Sequence, residues 1–335
     1  MTRSGTGGSI GLGQQWQGRY QAEWIAEDMA FLRAESTRWP CPGNVLVVLD
    51  GNGAALIDCG FATDASMAAL EQGLRTIDRS LDSIHTVVCT HPHTDHAGAL
   101  PRLAEGRRLL IPEGSRPALD DPSLVADSIL PQALRELDPE LRTLDADGHF
   151  RAECGAAGLA AGIAVEEIHP GEVFTLGRYS WRAVPTPGHE AHLLSYLEVT
   201  SGMLFFSDLL MTPGTVIPWY APGGGGTAAY QGSLRRVGAL APRFGISGHG
   251  GLLDGAAQVA TCVQATARRI EQRGDRIAHA LAEGPAAFED LERLIYPPTV
   301  KEVLPWASGV AATHLLEALD SGRARAHDGV FEVVK

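Results

Sequence analysis

Long apolar runs are missing from this 335-residue chain. No stretch approaches the roughly 18 residues that a bilayer span requires, so a membrane-embedded fold is not expected. Residues Met1 to Gly13 are rich in Gly and Ser and lack an apolar centre. That predicts a loose arm, not a secretory leader. Cysteine is scarce: Cys41, Cys59, Cys89, Cys154 and Cys262 form an odd set without a Cys-x-x-Cys pair. Reduced thiols in a cytoplasmic setting fit this better than a disulfide framework, and Cys59 and Cys89 read as small buried hydrophobes. Positive charge is in deficit, 27 Lys and Arg against 40 Asp and Glu, leaving −13. Phosphate recognition relies on a basic surplus, so a nucleic-acid partner is disfavoured. The one basic run, Arg268, Arg269, Arg273 and Arg276, is interleaved with Glu271 and Asp275 and reads as a solvated helix face. A phosphate loop is absent too: Gly223 to Gly226 is not followed by Gly-Lys-Ser/Thr and reads as a connector.

What the chain does have is a globular composition, 44% hydrophobic and 20% charged, and enough length for a full core. Its N-terminal half alternates strand-like and helix-like segments, the pattern of an α/β protein. Met29 to Arg33 and Asn44 to Leu49 read as strands, Asp50-Gly51-Asn52-Gly53 as a hairpin turn, and Ala65 to Ile77 as a helix. The segment Ile84 to Cys89 then runs into Thr90-His91-Pro92-His93-Thr94-Asp95-His96. A strand ending in such a cluster can splay ligands to two sides of a tight turn, His91 and His93 to one metal, Asp95 and His96 to another. Imidazole and carboxylate donors suit Zn²⁺, with Fe or Mn as alternatives. Three later strand-like segments end at ligand-type residues flanked by Gly or Ser: His189 after Tyr179 to Val184, Asp208 after Met203 to Phe206, and His249 after Phe244 to Ser247. Such flanks let a backbone turn sharply beside an ion.

This order of elements resembles the metallo-β-lactamase-fold superfamily of hydrolases, whose pattern is HxHxDH, a later His, a bridging Asp and a last His. The resemblance spans about residues 29 to 255. It implies an αββα sandwich with two divalent metal ions at its open edge. His91, His93 and His189 would hold the first ion, Asp95, His96 and His249 the second, and Asp208 would bridge them. The segment Ala54 to Gly60 matches the family's Asp-x-Gly element, which implies that Asp58 orients the ligands by hydrogen bonds. Glu190 and His192 depart from the family pattern. His192 is a candidate proton donor, or else a residue supporting the ligands or packing beside them.

The expected organisation is an N-terminal arm (1–28), a catalytic domain (29–255) and a small, mainly helical C-terminal domain (256–335). Between His96 and His189 the chain is longer than the fold needs. A helical insertion at about 113–168, with Leu124 to Leu137 helix-like, would form a lid or pocket wall, or else a surface pair or homodimer contact. Trp219 and Tyr220 would line a substrate pocket or simply pack. After Gly255, helices over Ala256 to Gln272, Arg276 to Glu283, Phe288 to Ile295 and Ala307 to Leu319 lead to a terminal hairpin. This resembles the winged-helix appendage of some family members.

Two cations about 3.5–4 Å apart lower the pKa of a shared water toward neutrality, so a bridging hydroxide can attack a carbonyl while Asp95 and Asp208 anchor the site and move protons. The expected substrate is a small ester, thioesters first, because glyoxalase II-like and thioesterase members share all seven ligands. Lactone hydrolases share them as well, but place a Tyr three residues past the bridging Asp, where Met211 stands here. From another class, a metal-dependent RNA phosphodiesterase would use the same ions on phosphorus.

Overall fold

The computed structural model of the protein describes residues 15–129, 132–137, 155, 157–212, 214, 217–220, 225–300 and 307–334. Alternation along the strands builds the layers. In β3 (Val45–Asp50) Leu46 and Val48 enter one apolar cluster while Val45 and Val47 enter another, all four fully buried. A strand buried on both faces must lie between two layers. β2 (Met29–Ala34) and β4 (Gly53–Ile57) divide their side chains the same way.

With β1 (Tyr20–Ala26), β5 (Ile84–Val88), β6 (Arg108–Pro112) and β7 (Glu166–Ile168) they form a seven-stranded sheet in sequence order, antiparallel from β1 to β4 and parallel from β4 to β7. The second sheet runs β13 (Leu252–Leu253), β12 (Phe244–Gly250), β11 (Met203–Thr212), β10 (Leu194–Glu198), β9 (Tyr179–Pro185), β8 (Val173–Leu176), with β11 and β12 parallel. Phe31, Leu46 and Ile57 of the first sheet meet Trp181, Tyr196 and Phe205 of the second in the central cluster.

Helices cover the outer faces. α1 (Asp64–Arg75) is capped at Thr63, whose hydroxyl accepts from the Ser66 amide at 3.2 Å, and buries Met67, Leu70 and Leu74 against the first sheet. The short α2 (Thr94–Ala97) and α3 (Leu100–Leu103) follow, then α4 (Arg116–Asp120), α5 (Pro122–Ile129) and α6 (Gln132–Leu137). On the second sheet, α7 (Thr227–Leu240) and α8 (Ala256–Glu283) pack Tyr230, Leu234, Val259 and Val263 against Leu204 and Phe206. The architecture is therefore the expected αββα sandwich.

Several boundaries differ from the sequence reading. Residues 20–26, assigned to an N-terminal arm, are edge strand β1, anchored by buried Trp16 and Tyr20. Only Tyr20 of this strand is buried and Trp24 is exposed, so its hydrophobic signal is weak. Residues 166–168, assigned to the insertion, are the sheet's β7, so α4 to α6 lie on the connection that carries the chain from β6 to its parallel partner. The part of the insertion at 138–154 lies outside the described residues. Two helices expected around Gly274 are one helix, because the buried stripe Val259, Val263, Thr266, Ile270, Arg273, Ile277, Leu281 runs through it without a break. A side chain at 274 would meet the His314 ring at 3.2 Å, which accounts for the glycine. Beyond α8 come β14 (Ala286–Ala287), α9 (Phe288–Arg293), α10 (Ser308–Asp320) and the hairpin β15 (Ala324–His327) and β16 (Val330–Val333), with β14 completing a three-stranded sheet on β16.

Candidate metal centre

Strand ends bring the ligand-type residues together. The turn after β5 carries His91 and His93, α2 carries Asp95 and His96, the end of β9 leads to His189, β11 carries Asp208 and β12 carries His249. All seven side chains are buried. They divide into two groups whose donor atoms converge: His91, His93 and His189, and Asp95, His96, Asp208 and His249. Asp208 stands between them, with Oδ2 3.3 Å from His189 Nε2 and 3.6 Å from His249 Nε2, and Oδ1 3.2 Å from His96 Nε2. Asp95 Oδ2 lies 3.2 Å from His249 Nε2.

Whether these groups suit metal ions is tested by what their donor atoms do. His91 Nε2, His93 Nε2, His96 Nε2 and Asp208 Oδ1 are buried without a hydrogen-bond partner. Buried polar atoms left unsatisfied are costly, and those of His91, His96 and Asp208 belong to residues whose donor atoms converge, while His93 turns its other nitrogen, Nδ1, to within 2.9 Å of His189 Nε2. The opposite ring atoms are tied down. His96 Nδ1 donates to Asp58 Oδ2 at 2.8 Å, and His189 Nδ1 donates to the Ile217 carbonyl at 2.7 Å. Outer hydrogen bonds of this kind fix the tautomer and aim the free nitrogen at an ion. The residues present fit a pair of divalent cations.

A family model described as the metallo-beta-lactamase superfamily matches residues 38–249. The chain belongs to that superfamily. It is 27% identical over 299 residues to the "Probable metallo-hydrolase YqjP" of Bacillus subtilis strain 168, covering 83% of this chain and 89% of that one. It is 25% identical over 237 residues to the atrochrysone carboxyl ACP thioesterase of Aspergillus fumigatus, covering 70% of this chain and 56% of the relative. Among solved structures, a metallo-beta-lactamase family protein of Thermus thermophilus superposes with a TM-score of 0.77 at 18% identity, over 93% of this chain and 100% of that one. As a member of the metallo-beta-lactamase superfamily, the protein is a metal-dependent hydrolase.

Supporting contacts show how the superfamily site is held here. Asp58 adopts a left-handed conformation, φ 62°, at the end of β4. That geometry is sparsely populated for a non-glycine residue and is retained where surrounding bonds enforce it. Its carboxylate accepts from the Thr90 amide at 2.9 Å and from His96, and Thr90 Oγ1 also lies 2.7 Å from Ser207 Oγ. Ser207 is left-handed as well, φ 49°, at a bulge in β11. Asn44 Nδ2 donates to the carbonyls of Ser247 and Gly250, both at 2.9 Å, clamping the segment that carries His249. Thr90, Ser207 and Asn44 were not singled out in the sequence. The first two directly precede ligand-type residues, which is the only local signal they offer. Gly248 has no such slack, because a Cβ there would lie 2.0 Å from Asp208 Oδ1.

His192 does not join this network. Its ring is exposed and lies over Gly114, while its backbone amide donates to Glu190 Oε2 at 2.6 Å. Trp219 is buried against Gly309 of α10 and so packs instead of lining a pocket. Cys41, Cys59, Cys89 and Cys262 are free thiols, and no described helix is long and apolar enough to cross a membrane.

The two groups carry opposite protonation. Burial and neighbouring imidazoles hold His91 and His189 below the ordinary range and His93 at about 3, so their lone pairs are available at neutral pH. At His96 burial acts in the same direction, but the carboxylates of Asp208, Asp95 and Asp58 outweigh it and push the ring up to about 10. His249 is raised by Asp208 and Asp95 in the same manner. At pH 7.5 the second group therefore holds protons on Nε2 of His96 and His249 that an ion must displace. Filling it is expected to release about two protons, and its apparent affinity should fall about tenfold per displaced proton for each pH unit lowered. The first group should release almost none. Titration of the metal-stripped protein with Zn²⁺ in weakly buffered indicator dye reads both steps. Equal pH dependence of the two would contradict the assignment.

Proposed function

We propose that the protein hydrolyses a small carbonyl ester, a thioester first, using two divalent cations, Zn²⁺ by the character of the donors. The observation that carries this reading is the pair of converging ligand groups with Asp208 between them. Bound there, the ions would lower the pKa of a water toward neutrality and polarise the substrate's carbonyl oxygen.

The chain's own residues have separate tasks. His91, His93 and His189 present neutral imidazoles, and Asp58 with Thr90 holds His96 in register. Burial tends to raise the Asp95 carboxyl, but His96 and His249 lower it overall, so it stands ionised beside the site, placed to accept a proton from the attacking water. A thiolate leaves near neutral pH without being protonated, since thiols have pKa values of about 8.5. An alkoxide needs a donor. Met211, at the position where lactone hydrolases of this superfamily place a tyrosine, lines the cavity beside His249 and has no proton to give. The relative named as an acyl-carrier-protein thioesterase supports the same choice.

The test is a panel of thioesters, oxygen esters, lactones and bis(p-nitrophenyl) phosphate offered to the Zn²⁺-loaded protein, with released thiol trapped by a chromogenic disulfide. Thioesters are expected to turn over fastest. Lactone or phosphodiester hydrolysis without thioester turnover would overturn the reading.

A further inference from the structure

A cavity of about 380 Å³ opens beside His249. Trp39, Met211, Tyr296 and Val300 give it apolar and aromatic walls, and three guanidinium groups line it as well, Arg38, Arg269 and Arg273. No carboxylate is among the described residues that line it. In a chain of net charge −13, three arginines on one pocket, with no acid among the described residues that line it, are not what random surface placement gives. Arg273 is the least expected of the three. It sits on the buried stripe of α8 at 7% exposure, with Nη2 2.5 Å from the Tyr296 hydroxyl and its guanidinium 4.8 Å from the centre of that ring. Arg269 stands one helical turn earlier on α8, and Arg38 approaches from the segment between β2 and β3. The basic run that reads in sequence as a solvated helix face is thus partly turned inward.

Resting on the ester-hydrolase reading above, we propose that Arg38, Arg269 and Arg273 form a subsite for an anionic group of the substrate, a carboxylate, sulfonate or phosphate separated from the scissile carbonyl by an apolar segment. His249 and Met211 place the cavity beside the ligand groups, and Trp39, Tyr296 and Val300 share its lining with the three guanidinium groups. Planar forks of this kind recognise oxyanions in two-pronged fashion. A volume of this size takes a short acyl or thiol arm, within the ordinary range of small-molecule sites. Arg38, Arg269 and Arg273 are positioning residues, since they fix where the carbonyl lies without touching it.

Two measurements test this. The first compares kcat/KM for matched thioesters that differ only in a distal charge: adipoyl against hexanoyl thioesters of 2-mercaptoethanol, and acetyl thioesters of 3-mercaptopropionate against 3-mercaptopropanol. The anionic member of at least one pair is expected to lead by about tenfold or more, and the R38Q/R269Q double variant should bring that ratio toward unity, with R38K/R269K restoring part of it. Both side chains are exposed, so an unchanged melting temperature is expected for the variant. The second measures n-pentanesulfonate binding by calorimetry; a sulfonate is a poor metal ligand, so its affinity reports the arginines. About tenfold weaker binding in the double variant supports the subsite. Thioester turnover without preference for charge, together with sulfonate binding that is absent or unchanged in the variant, overturns the subsite while leaving the hydrolase reading intact. Arginine-dependent sulfonate binding without any thioester turnover supports the subsite and removes the ester reading instead.

Discussion

Asp208→Ala is expected to lower kcat for the best thioester by about three powers of ten or more while leaving the protein soluble and folded. The size follows from position. Asp208 faces His189 of one ligand group and His96 and His249 of the other, so its loss removes a donor shared by both. Three powers of ten correspond to about 4 kcal/mol of transition-state stabilisation, the scale seen when one electrostatic contact to a reacting oxygen is removed. Metal content should fall as well. The carboxylate is held well below its ordinary range: burial alone would raise it, but His96 and His249 outweigh that. Removing it leaves two raised imidazoles with only Asp95 and Asp58 to balance them, and a second cation becomes harder to hold. Folding should survive because β11 pairs with β12 on both sides of this point, at Met203 to Ser207 and again at Met211 and Thr212. Emission spectrometry for bound metal, circular dichroism and steady-state kinetics on the one preparation check all three statements. Full activity with both ions retained would remove Asp208 from the role.

The residues of the candidate site stood out in sequence because they are of rare types and sit at spacings that a strand end imposes. His91, His93, Asp95 and His96 share one turn, and His189, Asp208 and His249 each close a strand whose apolar run is unmistakable. Asp58 was picked out only through the resemblance of its Asp-x-Gly segment to the family. The supporting residues were not: Asn44 reaches Ser247 and Gly250 across more than 200 positions, and no local pattern records that a side-chain amide will clamp a distant loop. The layered fold could be read where strands are buried on both faces, as in β3. It was misread at β1, where Tyr20 alone is buried, and at β7, whose three residues carry too little pattern to be told from a connector. The basic run on α8 failed for a different reason. Composition suggested a solvated face, but the helix rotates Arg273 onto the buried stripe, a matter of phase that the interleaved acids obscured.

Removal of residues 284–335 is expected to unfold the protein and not merely to trim an appendage. Phe288, Leu291, Val310, Leu315, Leu316 and Phe331 are buried in the same apolar cluster as the outer face of the first sheet, together with Trp219. Each such side chain contributes about 1.5–3 kcal/mol by leaving water, and losing six of them is comparable to the whole net stability of a domain, about 5–15 kcal/mol. The segment also reaches the ligands. Thr313 Oγ1 donates to the Pro218 carbonyl at 2.8 Å, and Gly309 leaves room for the Trp219 ring, which a Cβ would approach to 2.1 Å. The neighbouring carbonyl, that of Ile217, is the one that accepts from His189. α10 therefore braces the stretch that orients a ligand of the first group. A single substitution separates the two effects. Phe331→Ala lies far along the chain from this brace and should cost about 3–5 kcal/mol in urea unfolding, with metal affinity unchanged under native conditions. Gly309→Val should instead push on Trp219, lower the affinity of the first group for Zn²⁺ and slow turnover while His91, His93 and His189 remain in place. A soluble 1–283 fragment that melts at the temperature of the full chain and binds two ions would show that the C-terminal helices contribute neither core nor brace.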